Sequence, residues 1–85
     1  MIWLSAWSWK SLAQRAVRVS PADARSHKAL GFVLSAQQEL NLALDSYHTA
    51  IDKDPDAWDA MINIGDVLEI TGRDAEAIPY FEQAF

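Results

Sequence analysis

The chain contains no cysteine, so neither a disulfide framework nor a thiolate zinc site can form within it. Histidine is almost as scarce, because His27 and His48 are the two present and their spacing is not that of paired metal ligands. Asp52, Asp54 and Asp56 alternate along the chain, but the central glycine and distal glutamate of a calcium loop are missing. These absences predict that the chain holds no metal ion and no cofactor.

Sequence motifs that support catalysis are missing as well. The three glycines do not form a loop of the kind that cradles a nucleotide phosphate. No serine stands in a nucleophile-elbow motif that would place it near a histidine and an acid. We therefore expect the chain not to be an enzyme.

Positive charge is in short supply, since seven lysines and arginines oppose twelve aspartates and glutamates and give a net charge of −5. Binding to a phosphate backbone requires a basic surface, so nucleic acid is not an expected partner. The charge is uneven: residues 1–28 carry five basic residues and one acid, whereas residues 29–85 carry two basic residues and eleven acids. Such a gradient fits an ordinary solvated surface, and it also fits a scaffold that selects charged partners.

Long apolar runs are absent too. The longest one opens the chain at residues 1–4 and is interrupted by Ser5, Ser8 and Lys10, whereas a membrane-spanning helix needs about 20 predominantly apolar residues. A secretory signal peptide would carry its positive charge before its apolar segment, and here Lys10 follows that segment. We therefore predict no membrane span and a cytoplasmic location.

What the chain does contain is an internal repeat. Pro21 and Pro55 stand 34 residues apart (55 − 21), and the same offset aligns Gly31 with Gly65. It also aligns these pairs: Val33 and Val67, Leu34 and Leu68, Ala43 and Ala77, Tyr47 and Phe81, Ala50 and Ala84. A gapless repeat of this length indicates an array of similar structural units.

The apolar residues within each unit recur at i, i+3, i+4 and i+7, which is helical spacing. We expect Gly72 to take the left-handed conformation that ends a helix, Asp74 to cap the next helix, and Pro79 to kink the start of that helix. The pattern predicts five helices and no strand, with the helices at residues 3–19, 23–37, 41–53, 57–71 and 74–85.

These units resemble the tetratricopeptide repeat, whose signature combines a Leu-Gly step, small alanines, an aromatic residue and a closing proline. The first unit supplies Leu30, Gly31, Leu34, Ala43, Tyr47, Ala50 and Pro55, and the second supplies Ile64, Gly65, Leu68, Ala77, Phe81 and Ala84. The resemblance implies an all-α fold in which antiparallel helix pairs stack as a short right-handed solenoid. It divides the chain into a leading Trp-rich helix that forms a degenerate half repeat (1–20), a first repeat (21–55) and a truncated second repeat (56–85).

In this family the first helix of each pair lines a concave groove. The resemblance therefore implies a peptide-binding groove lined by Arg25, Lys28, Phe32, Asp59, Ile62, Asn63, Asp66 and Glu69. Its mixed character suits a protein or peptide segment with an apolar anchor and a basic portion. Some members instead clamp a C-terminal carboxylate, and Lys28 and Asn63 match two clamp positions, but Phe32 stands where the clamp needs an asparagine.

Two functions remain open at this point. The chain is expected to be a protein-interaction scaffold, or else a regulatory or accessory repeat segment of a larger bacterial-type enzyme or transcription regulator whose activity lies elsewhere. Trp3 and Trp7 at one end, and Phe81 and Phe85 at the other, are predicted association surfaces, because large exposed apolar patches mark contact sites. We expect self-association, either head to tail through oppositely charged ends or as a symmetric dimer through the Trp face.

Overall fold

The computed structural model describes the backbone of residues 2–85 and the side chains of residues 10–85. Its five helices are α1 (Ile2–Val19), α2 (Ala24–Ala36), α3 (Leu40–Lys53), α4 (Trp58–Ile70) and α5 (Asp74–Ala84). The described residues contain no strand, and every helix boundary lies within one residue of its predicted position. The predicted all-α fold is confirmed.

The helices form a linear array. Each helix packs against the next one along the chain, and α2 also contacts α4. The array measures 40 × 27 × 17 Å. Contacts between neighbouring helices are typical of a solenoid, in which each unit is stabilised by the units beside it. The ion pair between Lys10 and Glu39, with Nζ and Oε2 2.9 Å apart, also ties α1 to the turn between α2 and α3.

The two helix pairs use the same turn. After α2 the backbone at Gln38 has a φ of 66°, and after α4 the backbone at Gly72 has a φ of 78°. The amide of the next residue then donates a hydrogen bond to a carbonyl oxygen in the preceding helix. Glu39 donates to Leu34 at 2.9 Å, and Arg73 donates to Leu68 at 2.7 Å. This is a Schellman motif, which satisfies carbonyls at the end of a helix. The prediction for Gly72 is confirmed.

The helix starts differ from one another. Asp23 caps α2, because its carboxylate accepts a hydrogen bond from the amide of Arg25 at 2.9 Å. The prediction that Asp74 caps α5 is wrong: Arg73 is the capping residue, and no side chain makes a capping hydrogen bond. The Schellman bond holds Arg73 at the cap position, so Asp74 falls inside the first turn, where its charge favours the positive end of the helix dipole. The kink at Pro79 stays a prediction.

A glycine facing an aromatic ring sets the spacing within each pair. A Cβ atom on Gly31 would lie 2.7 Å from Cε1 of Tyr47, and a Cβ atom on Gly65 would lie 2.6 Å from Cε1 of Phe81. Real Cβ atoms essentially never approach so closely. The absence of a side chain therefore lets each ring lie directly on the neighbouring helix. The core around them consists of Leu34, Ala43, Leu44, Ala50, Ala57, Ala60, Ile64, Val67, Leu68 and Ala77.

We predict that Gly31→Ala destabilises the chain more than Gly65→Ala. The helix-propensity gain of about 1 kcal/mol is the same in both variants. The difference between their free energies of unfolding therefore reports the contact with the aromatic ring. Tyr47 is fully buried and cannot yield, whereas Phe81 is half-buried and can move outward. We expect Gly31→Ala to lower the free energy of unfolding by about 1–3 kcal/mol, as overpacking does.

Urea denaturation followed by circular dichroism measures both changes. Ala36→Gly, at an exposed position near the end of α2, is a control for backbone effects alone. Equal losses in the two glycine variants would contradict the proposed role of the enclosed tyrosine ring.

Candidate protein-binding groove

The surface shared by α2 and α4 carries the residues predicted to line a groove. Each helix is joined to α3 by a short loop, residues 37–39 or 54–57, and short loops make neighbouring helices antiparallel. The two helices α2 and α4 therefore run in the same direction, and they contact each other. Lys28 Nζ donates a hydrogen bond to Oδ2 of Asp59 at 2.9 Å, which joins the two helices directly. The structure therefore brings together two of the predicted groove residues as an ion pair.

The helical repeat places the other groove residues along this surface. One turn beyond Lys28 and Asp59 are Phe32 on α2 and Asn63 on α4, since residues four apart share a helix face. The side chain of Phe32 is 68% exposed, whereas Ile62 and Asn63 are half-buried. This level of the surface therefore combines an exposed aromatic ring with a half-buried isoleucine and a half-buried amide side chain.

A third level lies near the C-terminal end of α4. Asp66 and Glu69 are both exposed there, one turn or more beyond Asn63. Among the side chains of residues 10–85, no lysine or arginine forms an ion pair with either of them. A carboxylate near a helix C-terminus also faces the negative end of the helix dipole. This end of the surface therefore has unmatched negative charge.

The two cations predicted for the groove are already paired. Lys28 is held by Asp59, and the Arg25 guanidinium lies 3.0 Å from Oδ2 of Asp23 on the start of its own helix. That second pair holds the pKa of Asp23 below its usual value, chiefly through the hydrogen bond from the Arg25 side chain. The surface thus has paired charges at one end, an exposed aromatic ring beside an amide in the middle, and unpaired acids at the other end.

The environment of Asp59 favours its charged form. Partial burial by itself would raise the pKa of Asp59, but hydrogen bonds from Lys28 and from the amide of Ala60 outweigh it, so the pKa is lowered. Burial raises the pKa of Tyr47 to about 12, and the negative charge of Asp66 adds to this rise.

Trp58 is an exposed residue on the predicted groove face of α4 that the sequence analysis did not include. Its side chain is exposed, and it stands four residues before Ile62, so both lie on one face of α4. The four-residue spacing could have identified it. The equivalent residue in the first repeat is Ala24, which is buried. The repeat comparison would therefore predict that Trp58 is buried as well.

The predicted association surfaces are only partly within the described side chains. Trp3 and Trp7 lie outside them. At the other end, Phe81 is half-buried over Gly65, whereas Phe85 is almost fully exposed. The structure thus leaves Phe85 available for contact and uses much of Phe81 within its own helix pair.

Neither histidine takes part in the groove. Nε2 of His27 lies 2.8 Å from the carbonyl oxygen of Pro21, and the ring is half-buried. His48 is exposed, and its ring packs edge-on against Tyr80 with centroids 5.8 Å apart. Among the described residues, no three histidine or acidic side chains are placed to hold a metal ion.

The stacked helix pairs define a helical-repeat solenoid. The sequence pattern of the tetratricopeptide repeat family matches residues 33–84, which is more than half of the chain. The chain belongs to the tetratricopeptide repeat family.

Comparison with known proteins gives the same fold. A crystal structure of MamA is similar with a TM-score of 0.89 and 28% identity, over 94% of this chain and 47% of that one. MamA from Desulfovibrio magneticus RS-1 has a TM-score of 0.84 and 22% identity, over 87% of this chain and 42% of that one. Protein O-mannosyl-transferase TMTC1 of Mus musculus is 32% identical over an alignment of 75 residues, which covers 84% of this chain.

The chain is much shorter than these proteins. It spans under half of each MamA structure and 8% of the mouse protein. The likeness therefore concerns a repeat region within each of them. None of the helices in residues 2–85 has the length and hydropathy needed to cross a bilayer.

We predict that Lys28 and Asp59 are coupled at neutral pH and uncoupled in acid. The folded-state pKa of Asp59 lies below its ordinary value of 3.8, so its contribution to stability is present above that value. The contribution is lost as the pH falls through the lowered pKa. A double-mutant cycle with Lys28→Met and Asp59→Asn should give about 0.2–1 kcal/mol at pH 7, as for partly exposed pairs.

The same cycle at an acid pH below the lowered pKa of Asp59 should give no coupling, because the carboxylate is then protonated. A parallel cycle on Arg73 and Glu76, an ion pair within one turn of chain, is the control for pairs that do not join two helices. Zero coupling at pH 7, or equal coupling at both pH values, would contradict the role of this pair.

Proposed function

We propose that the chain is a non-catalytic scaffold that binds a segment of another protein along the α2–α4 surface. The surface comprises the predicted groove residues together with Trp58. The observation that carries the proposal is the order of the groove: the Lys28–Asp59 pair at one end, exposed Phe32 next, and unmatched Asp66 and Glu69 beyond. This order favours a partner with an apolar anchor and a lysine or arginine beside it.

The spacing of these levels specifies the partner further. Adjacent levels are one helical turn apart, or about 5.4 Å. In an extended segment, which rises about 3.3 Å per residue, the basic residue would follow the anchor by two positions. In a helical segment it would stand three or four positions away. The anchor would lie on Phe32 and Ile62, and the cation would lie near Asp66 and Glu69.

A carboxylate-terminated partner is disfavoured on the same grounds. The ammonium of Lys28 already has a carboxylate at 2.9 Å, that of Asp59. Phe32 occupies the position where a clamp would need an amide, and the acids beyond it repel an anionic segment. We therefore propose selectivity for cationic over anionic segments.

A second candidate is that these repeats serve a larger protein. It is supported by the mouse relative, a protein O-mannosyl-transferase of which the chain covers 8%. In that case the groove would hold a substrate protein or a neighbouring domain for an activity located elsewhere. An antibody against this chain distinguishes the two candidates: a band of about 9.5 kDa in the native cell supports the stand-alone scaffold, and a much larger band supports the second.

Self-association belongs to the same proposal. The basic residues of α1 and the acidic residues of α5 give the two ends of the array opposite charge. Large apolar side chains are exposed on both helices. Together these features support head-to-tail contact between copies of the chain.

Peptide binding tests the groove. We predict that a peptide with leucine as anchor and arginine two residues later binds with micromolar affinity, and that Phe32→Ala weakens this binding about tenfold, as loss of an anchor does. Leu42→Ala is the matched control, because Leu42 is also an exposed large apolar residue but lies on α3. Titration calorimetry measures both.

Charge is tested with the same peptide. The substitution Asp66→Lys should weaken binding of the arginine peptide. It should strengthen binding of a second peptide in which glutamate replaces the arginine. Added salt should weaken binding of the arginine peptide and leave binding of a neutral peptide unchanged, because salt screens only the charge interactions. Equal effects of the Phe32 and Leu42 substitutions, or preference for the glutamate peptide, would overturn the proposed groove.

A further inference from the structure

Two exposed stripes at opposite ends of the array have matching composition. On α1, Leu12 and Val19 are 54% and 74% exposed, and the exposed Arg15 stands between them. At the other end, Ile78 on α5 and Phe85, the residue that follows α5, are 56% and 92% exposed, and the exposed Glu82 stands between them. Each stripe thus consists of two large apolar side chains, seven residues apart, with one charge between them, and the charges are opposite.

The spacing within the stripes matches when the helices are antiparallel. Counting forward from Leu12, Arg15 is at i+3 and Val19 is at i+7. Counting backward from Phe85, Glu82 is at i−3 and Ile78 is at i−7. An antiparallel pairing therefore sets Leu12 against Phe85, Arg15 against Glu82, and Val19 against Ile78.

We propose that α1 of a second copy of this chain docks antiparallel on α5 through these three pairs. The proposal rests on the head-to-tail association proposed above and names the contact that makes it. The two stripes do not meet within one molecule, because α1 contacts α2 and α5 contacts α4, and α1 and α5 do not contact each other in the described residues. The apolar pairs supply the attraction, and the charged pair fixes register and direction.

The first repeat shows that this face of the second helix of a pair accepts a helix. Leu44 on α3 is the repeat equivalent of Ile78, and it is only 9% exposed. Helix α3 contacts both α2 and α4, whereas α5 contacts α4 alone among the described helices. Ile51, the equivalent of Phe85, is half-buried. His48, the equivalent of Glu82, stays exposed. A helix docked on α5 in the same way would bury Ile78 and Phe85 and leave Glu82 at the rim, within reach of a cation.

The contact joins two different surfaces, so it leaves one free α1 and one free α5 on every pair of chains. Such contacts extend into chains or close into rings. The stripe is short, and small interfaces are weak. We therefore expect reversible, concentration-dependent association of the 85-residue protein.

Sedimentation velocity on charge-reversed variants tests the pairing. Arg15→Glu or Glu82→Arg alone should weaken association about fivefold or more, because an attraction becomes a repulsion. The double variant R15E/E82R should return to within about twofold of the parent, and an equimolar mixture of the two single variants should associate more strongly than either variant alone. Arg18→Glu is the matched control, because it makes the same charge change on α1 outside the stripe.

The outcomes are separable. Association that is unaffected by Arg15→Glu and Glu82→Arg, or not rescued in the double variant, would overturn the pairing and favour a symmetric dimer. A monomer at all concentrations would overturn both the pairing and the proposed self-association. Val19→Asp is a second test of the stripe that leaves Arg15 and Glu82 in place, and it should weaken association as well. Binding of the arginine peptide, measured on R15E/E82R, reports the groove independently, because neither residue lies on the α2–α4 surface.

Discussion

The contact of an aromatic ring with a glycine is the constraint from which the architecture follows. Because the ring of Tyr47 lies on Gly31 and that of Phe81 lies on Gly65, each second helix packs closely along its first helix. The two pairs therefore have the same shape and can stack in the same way. Stacking then sets α2 beside α4 and produces the surface on which Lys28 meets Asp59.

The two equivalent pairs differ in how well they are covered. Leu44 on α3 is buried and Ile51 is half-buried, whereas their repeat equivalents Ile78 and Phe85 are exposed. In a solenoid, stability is the sum of each unit and its contacts with its neighbours. The second pair therefore has less packing energy than the first, and the difference reflects its neighbours rather than its own residues.

Much of the fold was predictable because each feature depends on local spacing. The offset that aligns Gly31 with Gly65 and the helical recurrence of apolar residues were sufficient to place all five helices. Local reasoning failed at two turns. Gln38 takes the same left-handed conformation as Gly72 although it has a side chain, and Asp74 lies inside its helix because the preceding turn holds Arg73 at the cap.

The binding surface was less predictable, because it depends on how two helices are aligned. The repeat offset pairs Arg25 with Asp59, but parallel packing of α2 and α4 brings Lys28 to Asp59 instead. The sequence indicated which residues share a face and did not indicate which charges neutralise one another. That distinction changes the expected partner, since it leaves Asp66 and Glu69 as the unmatched charges on this surface.

The most direct test of the central claim is to map a bound peptide by nuclear magnetic resonance. Amide shifts of the ¹⁵N-labelled chain would be recorded while the leucine–arginine peptide is added. The account predicts that the largest changes fall on α2 and α4, around Phe32, Asn63 and Asp66, and that they saturate together. Changes centred on the outer faces of α3 and α5, or no saturable change at millimolar peptide, would contradict it.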